Sequence, residues 1–421
     1  MRYKAVAGLA LATTAALALS GCTNSGGDSA GGDAETVTVA TATSERAQME
    51  AVVAAFEESS DYSVELTVAD TDNLQTTLRT QLSSGTAPDV FFAWPGDGNP
   101  MAMRVLQEAG LIADLSDYDF AERVPEGFSS VAQLDGATWI APVTTVAIGA
   151  IYNMTAMEEN GYSVPTTWSE LLEACATVAS NGQSLLAYGG ATGWNTQLTP
   201  YALASTLVYG PEADFAARMA DGDVTFADSA WQEVFGQFSE MAEAECFQPD
   251  FSGTAYEDSM QLVADGEAMG TVQVSASIAP IRDAAPEGTE LSQQPIPATD
   301  DAASTFLPAA LGAAYAVNAE AGNAEGATAF VEFLTSEEGQ NIYAETGGAI
   351  PALPSESFEL DPALETVQQF IDDGRTVPFP DQLWPNPRVQ QTLFEVLQQL
   401  LNGSTDAATA LTAMDDAYAQ E

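Results

Sequence analysis

Two tryptophans in this chain stand where a loop is expected, each beside a polar residue. Trp94 ends the apolar run Asp89-Val90-Phe91-Phe92-Ala93 and is followed by Pro95-Gly96-Asp97. Trp194 and Asn195 close the glycine-rich run Gly189-Gly190-Ala191-Thr192-Gly193. A third ring, Trp384, lies between Pro380 and Pro385, and Ser44-Glu45 follows an alternating strand-like segment. A flat ring covers the apolar C–H face of a sugar, while carboxylates, amides and hydroxyls bond its edge. Ser44, Glu45, Trp94, Asp97, Trp194, Asn195 and Trp384 are therefore the candidate ligand-binding residues. Plainer readings stand beside them. Ser44 is also a good helix N-cap with an acid in the first turn, and Trp94 could pack on Phe92 as a core ring.

Composition removes several other chemistries. There is no histidine, and 61 Asp and Glu face 10 Lys and Arg, for a formal charge of −51. The Ser-His-Asp and Cys-His mechanisms are excluded, together with the commonest metal ligand. Nucleic acid and anionic lipid surfaces would be repelled. No Asp-x-Asp-x-Asp-Gly loop is present, and no cofactor or metal is expected. A glycoside hydrolase needs only two carboxylates and stays open as a competing class, but 61 acids make any given pair uninformative. With 46% hydrophobic and 17% charged residues, the chain has ample material for packed cores.

The N-terminus has its own pattern. Arg2 and Lys4 precede an uninterrupted small-to-apolar run from Val6 to Leu19, shorter than a membrane span of about 20 residues. It ends in Leu19-Ser20-Gly21-Cys22, which resembles the lipobox of bacterial lipoproteins. That resemblance implies a signal peptide over 1–21 and lipidation at Cys22, with 22–35 as a flexible tether rich in Gly, Ser and Asp. The other two cysteines, Cys175 and Cys246, form a disulfide candidate in an oxidising compartment, with two reduced core thiols as the alternative.

The elements that would position these residues alternate. Val37 and Val39 mark a strand, and Met49, Val52, Val53 and Phe56 a helix stripe. Val64-Glu65-Leu66-Thr67-Val68 is a second strand, Leu74, Leu78 and Leu82 a second stripe, and Asp89–Ala93 a third strand. This β-α-β-α-β order predicts an α/β fold with a mainly parallel sheet. Thr138–Asn153 is β-rich, interrupted by Pro142 and Gly149, and too long for one strand; it could pass from one domain to another. Trp168, Leu171, Leu172, Cys175 and Val178 form a strong stripe, and so do Trp231, Val234, Phe235, Phe238 and Met241.

In this order the chain resembles the family-1 extracellular solute-binding proteins, the carbohydrate-type, maltose-binding-protein-like receptors of bacterial ABC importers. The resemblance rests on Gly85-Thr86-Ala87-Pro88-Asp89-Val90 entering a strand and Pro165-Thr166-Thr167-Trp168-Ser169-Glu170-Leu171-Leu172 opening a helix. It rests further on Gly266-Glu267-Ala268-Met269-Gly270, on Ala327–Gly339 ending in Ser336-Glu337-Glu338-Gly339, and on Gly347-Gly348-Ala349-Ile350-Pro351. It implies two discontinuous α/β domains with mainly parallel sheets joined by hinge crossovers, of the type II periplasmic-binding-protein kind. The N-terminal lobe would be 36–144 plus 307–353, and the C-terminal lobe 145–306 plus 354–421. It also implies a monomeric, lipid-anchored receptor at the outer face of the cytoplasmic membrane of a Gram-positive bacterium. Such a receptor would bind a neutral oligosaccharide between its lobes and deliver it to the ABC permease subunits without a chemical step. One departure stands out: Val274-Ser275-Ala276-Ser277 lacks the ring that family members often carry there. A polyamine or other small solute is the alternative ligand class, since carboxylates and rings also suit cations. An acidic solute would need one of the loop arginines Arg46, Arg282, Arg375 or Arg388.

Overall fold

The computed structural model describes residues 36–125, 128–353 and 355–420. The proposed signal peptide, Cys22 and the tether lie outside the described residues.

The chain enters β1 (Thr36–Ala42), with Val37 and Val39 fully buried and Thr36 facing solvent. The helix Arg46–Ser59 returns it to β2 (Ser63–Ala69), and the helix Thr71–Ser84 leads on to β3 (Val90–Ala93). Both strands lie parallel to β1, Val37 opposite Val64 and Val39 opposite Val90, as strand–helix–strand connections require. Leu74, Leu78 and Leu82 are the buried stripe of the second helix, and Gly85 ends it in the left-handed region at φ 68°.

The β-rich stretch beginning at Thr138 is several strands. After a small hairpin of β4 (Gln133–Leu134) and β5 (Ala137–Thr138), β6 (Ala141–Pro142) joins the first sheet. The next strand, β7 (Thr144–Asn153), is buried along all ten residues and forms the middle of a second sheet. The chain thus passes from sheet to sheet at Val143, between a proline that ends ladder pairing and a continuous buried strand. Further along are β8 (Ser184–Ala187), β9 (Ala268–Val274), β10 (Leu291–Gln294), β11 (Leu307–Leu311), β12 (Ala314–Val317), β13 (Ile350–Pro351) and β14 (Thr376–Val377).

The first sheet has the order β2-β1-β3-β12-β6, with β12 antiparallel to both neighbours. The second runs β14-β11-β7-β9-β8, with β10 and β13 also pairing to β7. Its β11–β14 and β8–β9 pairs are parallel and the pairs along β7 antiparallel, so both sheets of the expected α/β fold combine parallel and antiparallel pairs. The antiparallel pairs are those made by the strands that carry the chain between sheets. The first sheet regains the chain at Ala314, not at the expected 307. Ala309–Leu311 pairs with β7 and Leu307–Pro308 with β14, which keeps β11 in the second sheet. The turn between β11 and β12 needs Gly312, because a Cβ there would come within 2.6 Å of Val146 Cγ1.

Each sheet has its own core, and the molecule is a two-lobed α/β fold. The first core gathers Val37, Val39, Met49, Phe56, Leu78, Phe91, Tyr315 and Phe330. The second is ring-rich, with Tyr201, Tyr209, Phe226, Trp231, Phe235 and Trp384, and a smaller cluster around Val263, Ile278 and Leu364 covers another part of the second lobe. The helix Trp168–Ser180 is capped by Thr167, whose side chain accepts from Glu170 N. Its Cys175 is bonded to Cys246, which follows the helix Trp231–Glu243; their Cα atoms are 4.5 Å apart. The bridge closes a 71-residue separation. By loop-closure entropy that constrains the unfolded chain by about 4 kcal/mol.

Candidate functional site

Both lobes present polar and aromatic residues at strand ends, where open α/β sheets place ligands. In the first lobe, β1 ends at Ala42 and a single 3-10 turn, Thr43–Glu45, leads into the first helix. Ser44 is exposed there, and Glu45 is half-buried. The Tyr343 hydroxyl donates to Glu45 Oε2 at 2.8 Å. Behind it, the Tyr315 and Tyr343 hydroxyls lie 3.1 Å apart, and Thr41 Oγ1 lies 2.7 Å from the Tyr315 hydroxyl. Thr41, Tyr315 and Tyr343 are all buried. An ionised carboxylate only accepts, so the chain of donors runs Thr41 to Tyr315 to Tyr343 to Glu45. Burial raises the Glu45 carboxyl above its ordinary value, opposed by the hydroxyls of Tyr343 and Ser44.

Trp94 follows β3 and is half-buried, with its ring edge-on to Phe92 at a centroid distance of 4.6 Å. Its backbone is held on both sides: Trp94 N donates to Met101 O, and Trp94 O accepts from Met103 N. Asp97, in the same loop, pairs through Oδ1 with Arg104 Nε, which leaves Oδ2 outside that ion pair. Burial raises Asp97, and Arg104 opposes the rise. The loop presses on the late segment of the chain. A Cβ on Gly96 or Gly98 would fall 2.2 Å from Gln382 O or 2.0 Å from Asp381 O.

In the second lobe, the loop after β8 carries Trp194, half-buried, with its ring 4.8 Å from that of Tyr256. Tyr256 opens the helix Tyr256–Ala264 and is itself half-buried. Its backbone N–H donates to Thr192 Oγ1 at 3.0 Å, and its hydroxyl lies 2.9 Å from the buried Ser277 Oγ. Ser277 belongs to the turn after β9, the place without a ring, so Tyr256 puts an aromatic edge there from another element. Burial raises the Tyr256 hydroxyl, and the charges of Glu257 and Glu45 add to the rise.

Two of the expected contacts face elsewhere. Trp384 is 1% exposed, with Tyr201, Phe226 and Trp231 at centroid distances of 5.9, 5.7 and 6.3 Å. Its indole N–H points to the Tyr209 hydroxyl at 3.4 Å. Enclosed in the second core, its ring has no free face for a ligand. Asn195 is 2% exposed and used as a brace: Nδ2 donates to Gly189 O at 3.2 Å, and Oδ1 accepts from Gln273 Nε2 at 2.5 Å. It anchors the loop that displays Trp194. Ser44, Glu45, Trp94, Asp97 and Trp194 keep partial or full exposure.

Sequence reasoning did not single out Tyr256 or Tyr343. Tyr256 shares the helical spacing of Met260, Val263 and Ala264 and reads as core; the signal was its position at the first turn, next to Thr254 and Gly253. Tyr343 reads as part of an apolar stripe, and nothing local shows that its hydroxyl meets Glu45, 298 residues away.

Two surface hollows, of about 510 and 390 Å³, lie on the helices Glu337–Gly347 and Ala324–Leu334. Their walls carry acids and no ring, unlike a site for a neutral ligand. Among the described residues, no group of His, Cys, Asp and Glu could hold a metal ion, and no helix is long and apolar enough to cross a membrane.

The two-lobed fold finds its counterpart among known proteins. Residues 51–368 match the bacterial extracellular solute-binding protein family. The chain belongs to that family. This solute-binding protein is 21% identical over 278 residues to the multiple sugar-binding protein of Streptococcus mutans, a match spanning 65% of this chain and 64% of that protein. Its fold is similar to that of RafE of Streptococcus pneumoniae solved in complex with raffinose, with a TM-score of 0.74 and 21% identity, covering 91% of this chain and 98% of the other. A structure from work on xylan utilization by the thermophilic bacterium Caldanaerobius polysaccharolyticus superposes with a TM-score of 0.76 and 17% identity, over 90% of this chain and 99% of the other.

Proposed function

We propose that this solute-binding protein is an extracytoplasmic receptor that captures a neutral oligosaccharide between its lobes and passes it to an ABC permease without a chemical step. Lipid at Cys22 would hold it to the outer face of the membrane, and hinge passages near Val143, Gly312 and 353 would let the lobes close. The observation that carries the reading is a set of half-exposed rings from both lobes, with a half-buried carboxylate in the first. Trp94 and Glu45 belong to one, Trp194 and Tyr256 to the other. Rings on both sides suit an extended sugar, whose C–H faces alternate with hydroxyl edges.

The arginines support a neutral ligand. Arg46 pairs with Glu50 and Arg282 with Asp361. Arg375 donates to the carbonyls of Thr305 and Ala302, and Arg388 to Gln420. All four loop arginines are thereby engaged with the protein itself. The relatives named above for raffinose, xylan and multiple sugars set the panel for a test. Intrinsic tryptophan fluorescence should shift saturably on titration with raffinose or xylotriose, with the sugar recovered intact after hours. Release of reducing ends would replace the receptor reading by hydrolysis. A response to spermidine alone would move the ligand class to polyamines.

A further inference from the structure

Glu45 is held differently from every other cleft carboxylate described above. Asp97 faces a guanidinium, whereas Glu45 faces a file of buried hydroxyls reaching from its Oε2 into the first-lobe core. The file is made by three separate elements: Thr41 by β1, Tyr315 by β12 and Tyr343 by the helix Glu337–Gly347. Such a chain fixes a carboxylate in orientation as well as in charge. With Oε2 bonded inward to Tyr343, Oε1 lies outside that chain of hydroxyls and, beside Ser44, can accept from an outside donor. Hydroxyls in series polarise one another, so the terminal one donates more strongly than an isolated tyrosine. The groups that bear on Glu45 are Tyr343 and Ser44 as donors and Tyr315 behind Tyr343, with the charge of Glu45 also felt by Tyr256 of the second lobe.

We infer that Tyr343, backed by Tyr315 and Thr41, is a positioning residue that orients Glu45 so that its outer oxygen accepts one hydroxyl of the bound sugar, making capture depend on Glu45 being ionised. The inference rests on the oligosaccharide reading above and deepens it. The consequence is directional. A protonated Glu45 would carry its proton on one of the two oxygens and compete with the inward donor or the outer one, so affinity falls on acidification. Tyr343 favours the charged form. Removing its hydroxyl raises the Glu45 carboxyl further and moves the loss of affinity to higher pH. Removing the Tyr315 hydroxyl moves it the same way by less, because it acts through Tyr343.

The test uses the full chain, Tyr343→Phe, Tyr315→Phe and Glu45→Gln, with raffinose and xylotriose as probes by calorimetry between pH 4 and 8. Side-chain ¹³C resonances of Glu45 are followed over the same range without sugar. The wild type is expected to lose at least fivefold in affinity toward acid. In Tyr343→Phe the midpoints of that loss and of the ¹³C titration should rise together, Tyr315→Phe should lie between, and Glu45→Gln should bind weakly with no pH dependence in this range. Unchanged midpoints in a folded Tyr343→Phe would overturn the inference, as would wild-type affinity in Glu45→Gln. Because Tyr343 is buried, circular dichroism checks the fold; if Tyr343→Phe fails to fold, Tyr315→Phe and Thr41→Val decide by the same midpoints. Binding of neither probe by the wild type would remove the oligosaccharide reading itself, a result distinct from binding with an unshifted midpoint.

Discussion

Glu45 and Asp381 are both acids drawn out of water beside a tyrosine, and their surroundings differ in every other respect. Glu45 sits past the end of β1, half-buried, with a tyrosine hydroxyl donating to it at 2.8 Å. Asp381 lies under the second-lobe core. Its Oδ2 accepts from Gln390 at 3.0 Å, and Gln390 also reaches Gln197. Its Oδ1 has no partner among the described residues, and the nearby Tyr201 hydroxyl favours its charge without meeting hydrogen-bond geometry. Burial pushes Asp381 up to about 6. The tryptophans of the two regions divide in the same way: Trp194 keeps a partly open ring, and Trp384 is enclosed by other rings. On the proposed reading the first region serves a ligand outside the chain; the other is packed against itself and retains a polar group at a cost. The two should therefore answer mutation through different observables, affinity for the first and stability for the second.

The sharpest way to break this division is Trp384→Ala. A fully buried indole in an aromatic cluster should leave a cavity costing about 3–5 kcal/mol, read as a lower denaturant midpoint. The fraction still folded should bind raffinose or xylotriose with wild-type affinity; a large loss of affinity there would put Trp384 back in the site. Replacing Cys175 and Cys246 together by Ala should cost about 2–4 kcal/mol, again without change in Kd for those sugars.

Asp381→Asn should act in the opposite sense. The folded-state value of Asp381 lies above its ordinary 3.8, so folding favours the protonated form. The penalty for ionising it is absent below about pH 4, grows as the pH rises through about 6, and is complete at pH 7.5. The Asn variant should then match the wild type near pH 4 and be more stable by up to about 3 kcal/mol at pH 7.5. A stability difference that does not vary with pH would show that Asp381 carries no buried charge. Smallest in free energy, Trp94→Ala and Trp194→Ala should each weaken sugar binding by about 1 kcal/mol or more while the melting temperature stays nearly unchanged. Equal affinity in both would take the rings out of the site.

Much of the frame was legible along the chain. The β-α-β-α-β opening is dictated by alternation at Val37 and Val39 and by helical spacing at Leu74, Leu78 and Leu82, both local properties. The helix beginning at Trp168 was announced by Pro165-Thr166-Thr167, and Thr167 does cap it. The passage between sheets near Pro142 followed from an overlong β-rich stretch. Trp94 and Trp194 were identified because each follows a strand or a glycine run, and both keep a partly open ring. Trp384 shared that loop-like setting and went inward, since prolines mark a turn without saying which way the next ring points. Asn195 had the right chemistry, but Gly189 and Gln273 used both ends of its amide.

Sequence by itself determined the chemical limits and the local elements of this protein: no histidine, a surface of acids without lysine after residue 4, two sets of amphipathic elements, and cysteines in a pair. Those depend on composition and on periods of two and of about three and a half residues, which are visible in any short window. Only the tertiary structure decided that β11 stays with the second sheet, that Tyr256 supplies the ring its neighbouring turn lacks, and that Tyr343 meets Glu45. Each of these joins groups separated by many residues, and which partners meet depends on strand order and on the one packing that fills both cores. No local pattern carries that information.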